Sequence, residues 1–392
     1  MAETRPLTPD PALIRDVKRL GGNTLKKCFQ CGTCSSVCNL SSPSAPFPRK
    51  EMALAGWGQS ERLVRDPNVW LCHQCNDCTT YCPRGARPGD VLAAIRAYAY
   101  KHFSFPSFMG RALATPRALP VLVFVPVVIL LACVVWLAPQ SVDGRYLFGT
   151  AAVIDFNLFL PHQYVDALFV IGNIMIFIFA AVGFRRFWKG MQRPGEKYEL
   201  SFVGSLLKTI PEVLSHRKFR ECDTNRPRTW GHLLLFYGFL GAMVTTGAIF
   251  VSIFAPHYLE QIGLQVLRPL FELPLNLPNP IKILGALSGV ALALGGALLI
   301  IRRWGKKDEV GANGYTDYLF LYVIFLAGAT GMAAWVARWA GTATIAYGSY
   351  FAHLVCVFFL LWYMPYSKFA HMIYRLLALA QARRLGYLDR RR

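Results

Sequence analysis

The sequence predicts an all-α protein in two parts: a small helical, cysteine-rich domain, then a bundle of six membrane-crossing helices. Three observations carry the prediction. Two cysteine runs, Cys28-x2-Cys31-x2-Cys34-x3-Cys38 and Cys72-x2-Cys75-x2-Cys78-x3-Cys82-Pro83, fall in the first hundred residues. Six later stretches stay apolar over the ~20 residues that cross roughly 30 Å of hydrocarbon. Little of the chain shows the two-residue alternation of strands.

The chain has 392 residues, 54% of them hydrophobic, and a formal net charge of +20. That is too apolar for a soluble protein. Nucleic acid is not the expected partner of the charge, because no Lys/Arg stripe interleaved with aromatics occurs. The charge instead follows a membrane topology. With the N-terminus inside, the outward loops 139–165, 255–280 and 338–343 carry only Arg145, Arg268 and Arg338. The inward loop 185–229 carries eleven Lys/Arg, the next has Arg302, Arg303, Lys306 and Lys307, and the tail has Lys368, Arg375, Arg383, Arg384 and Arg390 to Arg392. This positive-inside pattern predicts a multi-pass protein of the cytoplasmic (inner) membrane, in contact with lipid, with both termini cytoplasmic. Residues 1–22 lack the apolar run of a secretory signal, so the thiols are expected reduced rather than paired in disulfides.

In chain order, residues 1–98 read as a cytoplasmic domain with helices at Pro11–Leu20, Pro48–Leu54 and Pro88–Tyr100, the last carrying Val91, Leu92, Ile95 and Tyr98 on one face. The wide gap between Cys38 and Cys72 suggests a helical rather than a compact β-containing ferredoxin. Residues 99–117 read as an elbow on the membrane surface. The membrane domain covers 118–366, with spans at about 118–138, 166–188, 230–254, 281–301, 316–337 and 344–366, and 367–392 is a basic tail. Tyr198–Arg220 is amphipathic and is expected along the inner interface or as a docking face.

Eight thiolates at these spacings suit two [4Fe–4S] clusters. Each CxxCxxC loop supplies three sulfurs and the fourth comes from the other run. Cluster 1 then takes Cys28, Cys31, Cys34 and Cys82, and cluster 2 takes Cys72, Cys75, Cys78 and Cys38. Asn39 stands where the second run has Pro83. Structural zinc pairs two CxxC knuckles and does not call for the further cysteines at these offsets.

A histidine inside a span is costly unless paired or bound. His232 and His371 lie at the inward ends of the third and sixth spans, so they are placed to clamp one haem b. His353 lies about 27 Å from His371 if the sixth helix is continuous, near the outer face, which points to a second haem. Its partner is His162, just before the second span, or His257, which follows Pro256 beyond the core; His162 is preferred. His73 lies between cluster cysteines, and His102 and His216 read as interfacial.

These residues carry a resemblance. The block Cys28–Cys38 and Cys72–Cys82 resembles the iron–sulfur C-subunit of heterodisulfide reductase. Thr229–Arg375, with Trp230-Gly231-His232 and the His353/His371 pair, resembles the cytochrome b component of that enzyme (its E-subunit) and the gamma subunit of respiratory nitrate reductase, although Ala242 stands where the latter has a second histidine. The fused order resembles the C-subunit of the quinone-interacting membrane-bound oxidoreductase complex. The resemblance implies a helical two-cluster ferredoxin joined to a six-helix cytochrome b bundle. It further implies an oxidoreductase component relaying electrons between menaquinone and soluble flavin/iron–sulfur subunits resembling the A-subunit of heterodisulfide reductase. In that family the partners feed adenylylsulfate reductase in dissimilatory sulfur metabolism. A non-redox membrane anchor that docks soluble partners is the rival reading.

Overall fold

The computed structural model describes residues 8–42, 46–137, 154–192, 195–216, 226–261, 263–273, 275–305 and 314–388. Residues 139–153 of the first outward loop, and the inward charges Arg193, Arg217, Lys218, Arg220, Lys306, Lys307 and Arg390 to Arg392, lie outside them.

Every regular element described is a helix, as the patterning predicts. The N-terminal part contains α1 (Pro11–Arg19), α2 (Thr33–Ser36), α3 (Arg49–Gly56), α4 (Ser60–Val64), α5 (Asp77–Thr80) and α6 (Pro88–Phe103). Local chemistry sets their starts. Asp10 accepts from the Ala12 amide at 2.9 Å and Pro11 opens α1. Pro88 opens α6, which buries Val91, Leu92 and Ile95. The expected boundary at residue 98 falls inside α6. Next come α7 (Ser107–Leu113) in the elbow, α8 (Leu119–Ala132), which continues as a π-helical turn Cys133–Leu137, and the short α9 (Phe156–Phe159).

The remaining elements are α10 (His162–Met191), α11 (Phe202–Ser215), α12 (Arg226–Gln261), α13 (Arg268–Phe271), α14 (Pro280–Gly305), α15 (Tyr315–Trp339), α16 (Ala343–Trp362) and α17 (His371–Arg384). Among the described residues six segments are long and apolar enough to cross a membrane: Pro116–Leu137, His162–Met191, Arg228–Ile253, Pro280–Gly305, Tyr315–Trp339 and Ala343–Trp362. Val121, Phe124, Ile171, Phe177, Val244 and Leu287 on them are exposed, as side chains against lipid are. α12 and α14 pack closely because Gly238 faces the Leu292 amide and Gly295 faces the Leu235 amide. A Cβ at either glycine would come within 2.9 Å of backbone.

Two expectations need correction. The sixth helix is not continuous to His371. Pro365 has no N–H to extend α16, and the chain passes through 3-10 turns at Met364–Tyr366 and Lys368–Ala370 before α17 begins. His353 and His371 therefore stand on separate helices, and the 27 Å rise along one helix does not apply. α12 runs through Pro256 to Gln261, so His257 is helical rather than in a loop; one missing amide does not stop the helix.

The two parts share one core. Trp70, 1% exposed, stacks on Tyr374 of α17 (5.0 Å between centroids, 9° between planes). It meets Tyr100 of α6 at 5.4 Å and Phe187 of α10 at 5.5 Å edge to face. Leu13, Met52, Leu92, Phe187 and Tyr374 belong to the same buried cluster. α11 packs along α17, held by the Glu212–Arg383 ion pair. Ser205 and Thr209 of α11 are buried while Val203 and Leu207 face out.

Candidate cofactor centres

The two cysteine loops are built alike. Gln30 and Gln74, two residues after the first cysteine of each run, have φ of 60° and 55°. Gly32 and Asn76, two further on, have φ of 89° and 70° and start the short helices α2 and α5. An L-residue in this left-handed region costs on the order of 1–2 kcal/mol. What it returns here is a tight loop with donors beside sulfur. The Gln74 amide lies 3.2 Å from Cys72 Sγ, and Gln30 Nε2 lies 3.3 Å from Cys28 Sγ.

The loops also cross. Arg84, two residues after Cys82, lies over the Phe29 ring at 3.9 Å. Cys78 feels the charge of Cys38 as well as those of Cys72 and Cys75. Burial first, then the neighbouring cysteines, pushes the Cys34 thiol up to about 11 and Cys78 higher still. Cys31 is exposed, and its thiol is lowered by the Thr33 hydroxyl at 3.4 Å. Cysteines gathered in two such loops suit iron–sulfur clusters, whose cationic core would hold them as thiolates.

A cavity of about 230 Å³ opens where the second loop meets the bundle. Cys72, His73, Gln74 and Cys75 line one side, and His216, His232 and His371 line the other. His371 Nδ1 lies 2.6 Å from the Lys368 carbonyl, which leaves Nε2 for a metal. Burial, then the Lys368 charge, lowers the His371 pKa to about 3, so the ring is a neutral ligand at neutral pH. His232 Nδ1 lies 3.1 Å from His216 Nε2, at the C-cap of α11.

Cations frame the same space. Arg375 donates to the Leu71 carbonyl (3.2 Å), the Cys72 carbonyl (3.4 Å) and the His73 ring (2.8 Å). Arg228 donates to the carbonyls of His73 (3.1 Å) and Gln74 (3.4 Å). Arg302, Arg303 and Lys368 complete the wall, with Lys368 paired to Asp317.

The structure thus brings His232 and His371 to one cavity, as expected. It treats the outer histidines differently. His353 Nδ1 lies 2.9 Å from the Ala327 carbonyl, and its ring packs on Gly331. His162 bonds Asn157 at 3.0 Å, and His257 lies 3.0 Å from Gln261. None of these contacts joins His353 to His162 or His257. Sequence reasoning set His216 aside as interfacial, and it passed over Arg228 and Arg375. The signal was present: Arg228 precedes His232 by four residues and Arg375 follows His371 by four, so each pair shares a helix face.

Fold and loops together define a helical protein in which a paired-cysteine-loop domain is joined to six described helices long and apolar enough to cross a membrane. The comparisons make this specific. Residues 24–86 match the 4Fe-4S dicluster domain family. A protein of Archaeoglobus profundus described as like the C-subunit of heterodisulfide reductase is 32% identical over 108 residues, 27% of this chain and 57% of the relative. The C-subunit of the H(2):CoB-CoM heterodisulfide,ferredoxin reductase of Methanothermobacter marburgensis is 33% identical over 92 residues, 24% of this chain and 50% of the relative. The chain thus spans little more than half the length of these two relatives. Citrate utilization protein B of Escherichia coli is 28% identical over 376 residues, 90% of this chain and 88% of that protein. No solved structure matches the chain. The N-terminal part is homologous to the C-subunit of heterodisulfide reductase, and it is fused to a membrane-type bundle as the sequence predicts.

Proposed function

We propose that this chain is the membrane component of a quinone-linked oxidoreductase of the inner membrane, its termini cytoplasmic, serving soluble flavin/iron–sulfur subunits. One observation carries the reading: a single cavity is lined both by the Cys72–Cys75 loop and by His232 and His371. Cys28, Cys31, Cys34 and Cys82 would hold cluster 1, and Cys72, Cys75, Cys78 and Cys38 cluster 2. His232 and His371 would hold a haem b. When bound, these centres pass single electrons between a two-electron quinone couple and a soluble partner.

The chain's own residues position that hardware. The Lys368 carbonyl fixes the tautomer of His371, and His216 orients the His232 ring. Arg228, Arg302, Arg303 and Arg375 supply positive charge suited to the propionates of a haem. Trp70 and its aromatic neighbours keep water out between the cluster domain and the bundle. An outer haem on His353, with His162 or His257, is the weaker part of the scheme, since His353 is already seated on Ala327 and Gly331. Menaquinone as the quinone, and adenylylsulfate reductase as the eventual partner, rest on the family resemblance.

A reduced-minus-oxidised spectrum with iron and haem quantitation tests the proposal. The expected result for protein prepared without air is the α-band of a b-type cytochrome and about eight irons per chain. His371→Ala should remove the band of the inner haem, and His353→Ala should leave that band in place. A colourless protein, or one holding only zinc, would leave the non-redox anchor as the reading.

A further inference from the structure

The two cluster loops face different ways. The second loop lines the cavity at the bundle through Cys72 and Cys75. No cysteine of the first run lines that cavity, and Cys31 is exposed on the surface. Two large aromatic side chains beside cluster-1 ligands are exposed as well. Phe29, between Cys28 and Cys31, is 66% exposed, and Tyr81, next to Cys82, is 62% exposed. Burying an aromatic is favourable, so leaving both of these in water has a cost that a partner surface would recover.

The surroundings carry one sign of charge. Lys26, Lys27 and Arg84 are exposed there, and the Arg84 guanidinium lies over the Phe29 ring. No Asp or Glu occurs between Asp16 and Glu51 or between Asp77 and Asp90, so the segments that form this surface contain none. An aromatic centre inside a basic rim is the pattern of a docking patch that steers an oppositely charged partner.

We infer that the Phe29–Tyr81 face of cluster 1, rimmed by Lys26, Lys27 and Arg84, is the docking site of a soluble redox protein with an acidic surface around a flavin or iron–sulfur centre. This deepens the proposed function and rests on its assignment of the clusters. The electron path then has a fixed order: bundle, cluster 2, cluster 1, partner. The exchange moves one electron between cluster 1 and the partner's centre, one being oxidised as the other is reduced, with no bond formed or broken.

The probe is an acidic flavodoxin, titrated optically against the full-length chain in detergent at low and at physiological salt. The expected result is binding that weakens at least tenfold with added salt. Arg84→Glu should weaken it about tenfold at low salt, and Lys26→Glu with Lys27→Glu should do the same. Phe29→Ala with Tyr81→Ala should weaken binding while preserving the salt slope. Arg268→Glu, on α13 beyond the far end of α12, should stay within twofold of the wild type. Reversed-charge variants that bind like the wild type would overturn the inference. So would a loss equally large for Arg268→Glu, or tighter binding of a basic c-type cytochrome. Iron content and the electron paramagnetic resonance spectrum of each variant keep the two readings apart. Wild-type iron with no patch-dependent binding sinks the docking site alone, whereas absence of iron sinks the cluster assignment.

Discussion

Trp70→Ala tests whether the cluster domain and the bundle are one unit. Deleting a fully buried Trp side chain costs roughly 3–5 kcal/mol, and this one also loses three aromatic pairs, with Tyr100, Phe187 and Tyr374. Because the side chain joins elements from both parts, the loss falls on opening between them. About 4 kcal/mol raises the population of the opened form by about a thousandfold. Limited proteolysis reads that population when reclosing outpaces cleavage. Cleavage within the first hundred residues should accelerate by about that factor in Trp70→Ala. Trp57→Ala, at a 64% exposed site, should be nearly silent. An acceleration of less than tenfold for Trp70→Ala would refute the shared-core argument.

Two further outcomes are expected. Arg375→Ala removes the donor shared by the carbonyls of Leu71 and Cys72 and the His73 ring, at a cost of about 3 kcal/mol. Half of the iron, that of cluster 2, should become labile to a chelator, and Arg375→Lys should rescue this only in part because it cannot fork. In the cluster domain, Glu51 is fully buried, and burial, then the Asp66 charge, raises its carboxyl to about 8. Its folded state therefore holds a proton more tightly than the unfolded chain, so wild-type stability falls as pH rises from about 4.5 to about 8. Glu51→Gln should gain about 5 kcal/mol over wild type at pH 9 and little at pH 5. A difference that stays flat across that range in thermal unfolding would rule out the burial argument.

Much of this architecture was legible in the chain because spacing and hydropathy are local signals. The eight cysteines announce themselves through offsets alone, and the six spans through length. That His232 and His371 lie at a common level, lining one cavity, was legible from their positions at the ends of two predicted spans. What escaped was set by contacts remote in sequence. Trp70 reads as one apolar residue among many until Tyr374 and Phe187 pack on it. His216 looks interfacial until α11 returns along α17 and puts its ring against His232. The break at Pro365 was visible as a residue, but it falls at the last turn of the predicted 344–366 span, from which the helix was carried straight on to His371. The left-handed φ at Gln30 and Gln74 has no compositional marker, since glutamine is not a residue that favours it.

That break at Pro365 governs how the molecule connects its two environments. Had α16 continued straight, its extension would have run on past the end of the bundle. Instead α17 sets out on a new axis and serves as a floor beneath the Leu71–Cys72 backbone. Its first residue, His371, belongs to the bundle's cavity, and Arg375, four residues or about 6 Å along, grips the sulfur-bearing loop. A single helical turn therefore ties the bundle's cavity directly to the cysteine loop.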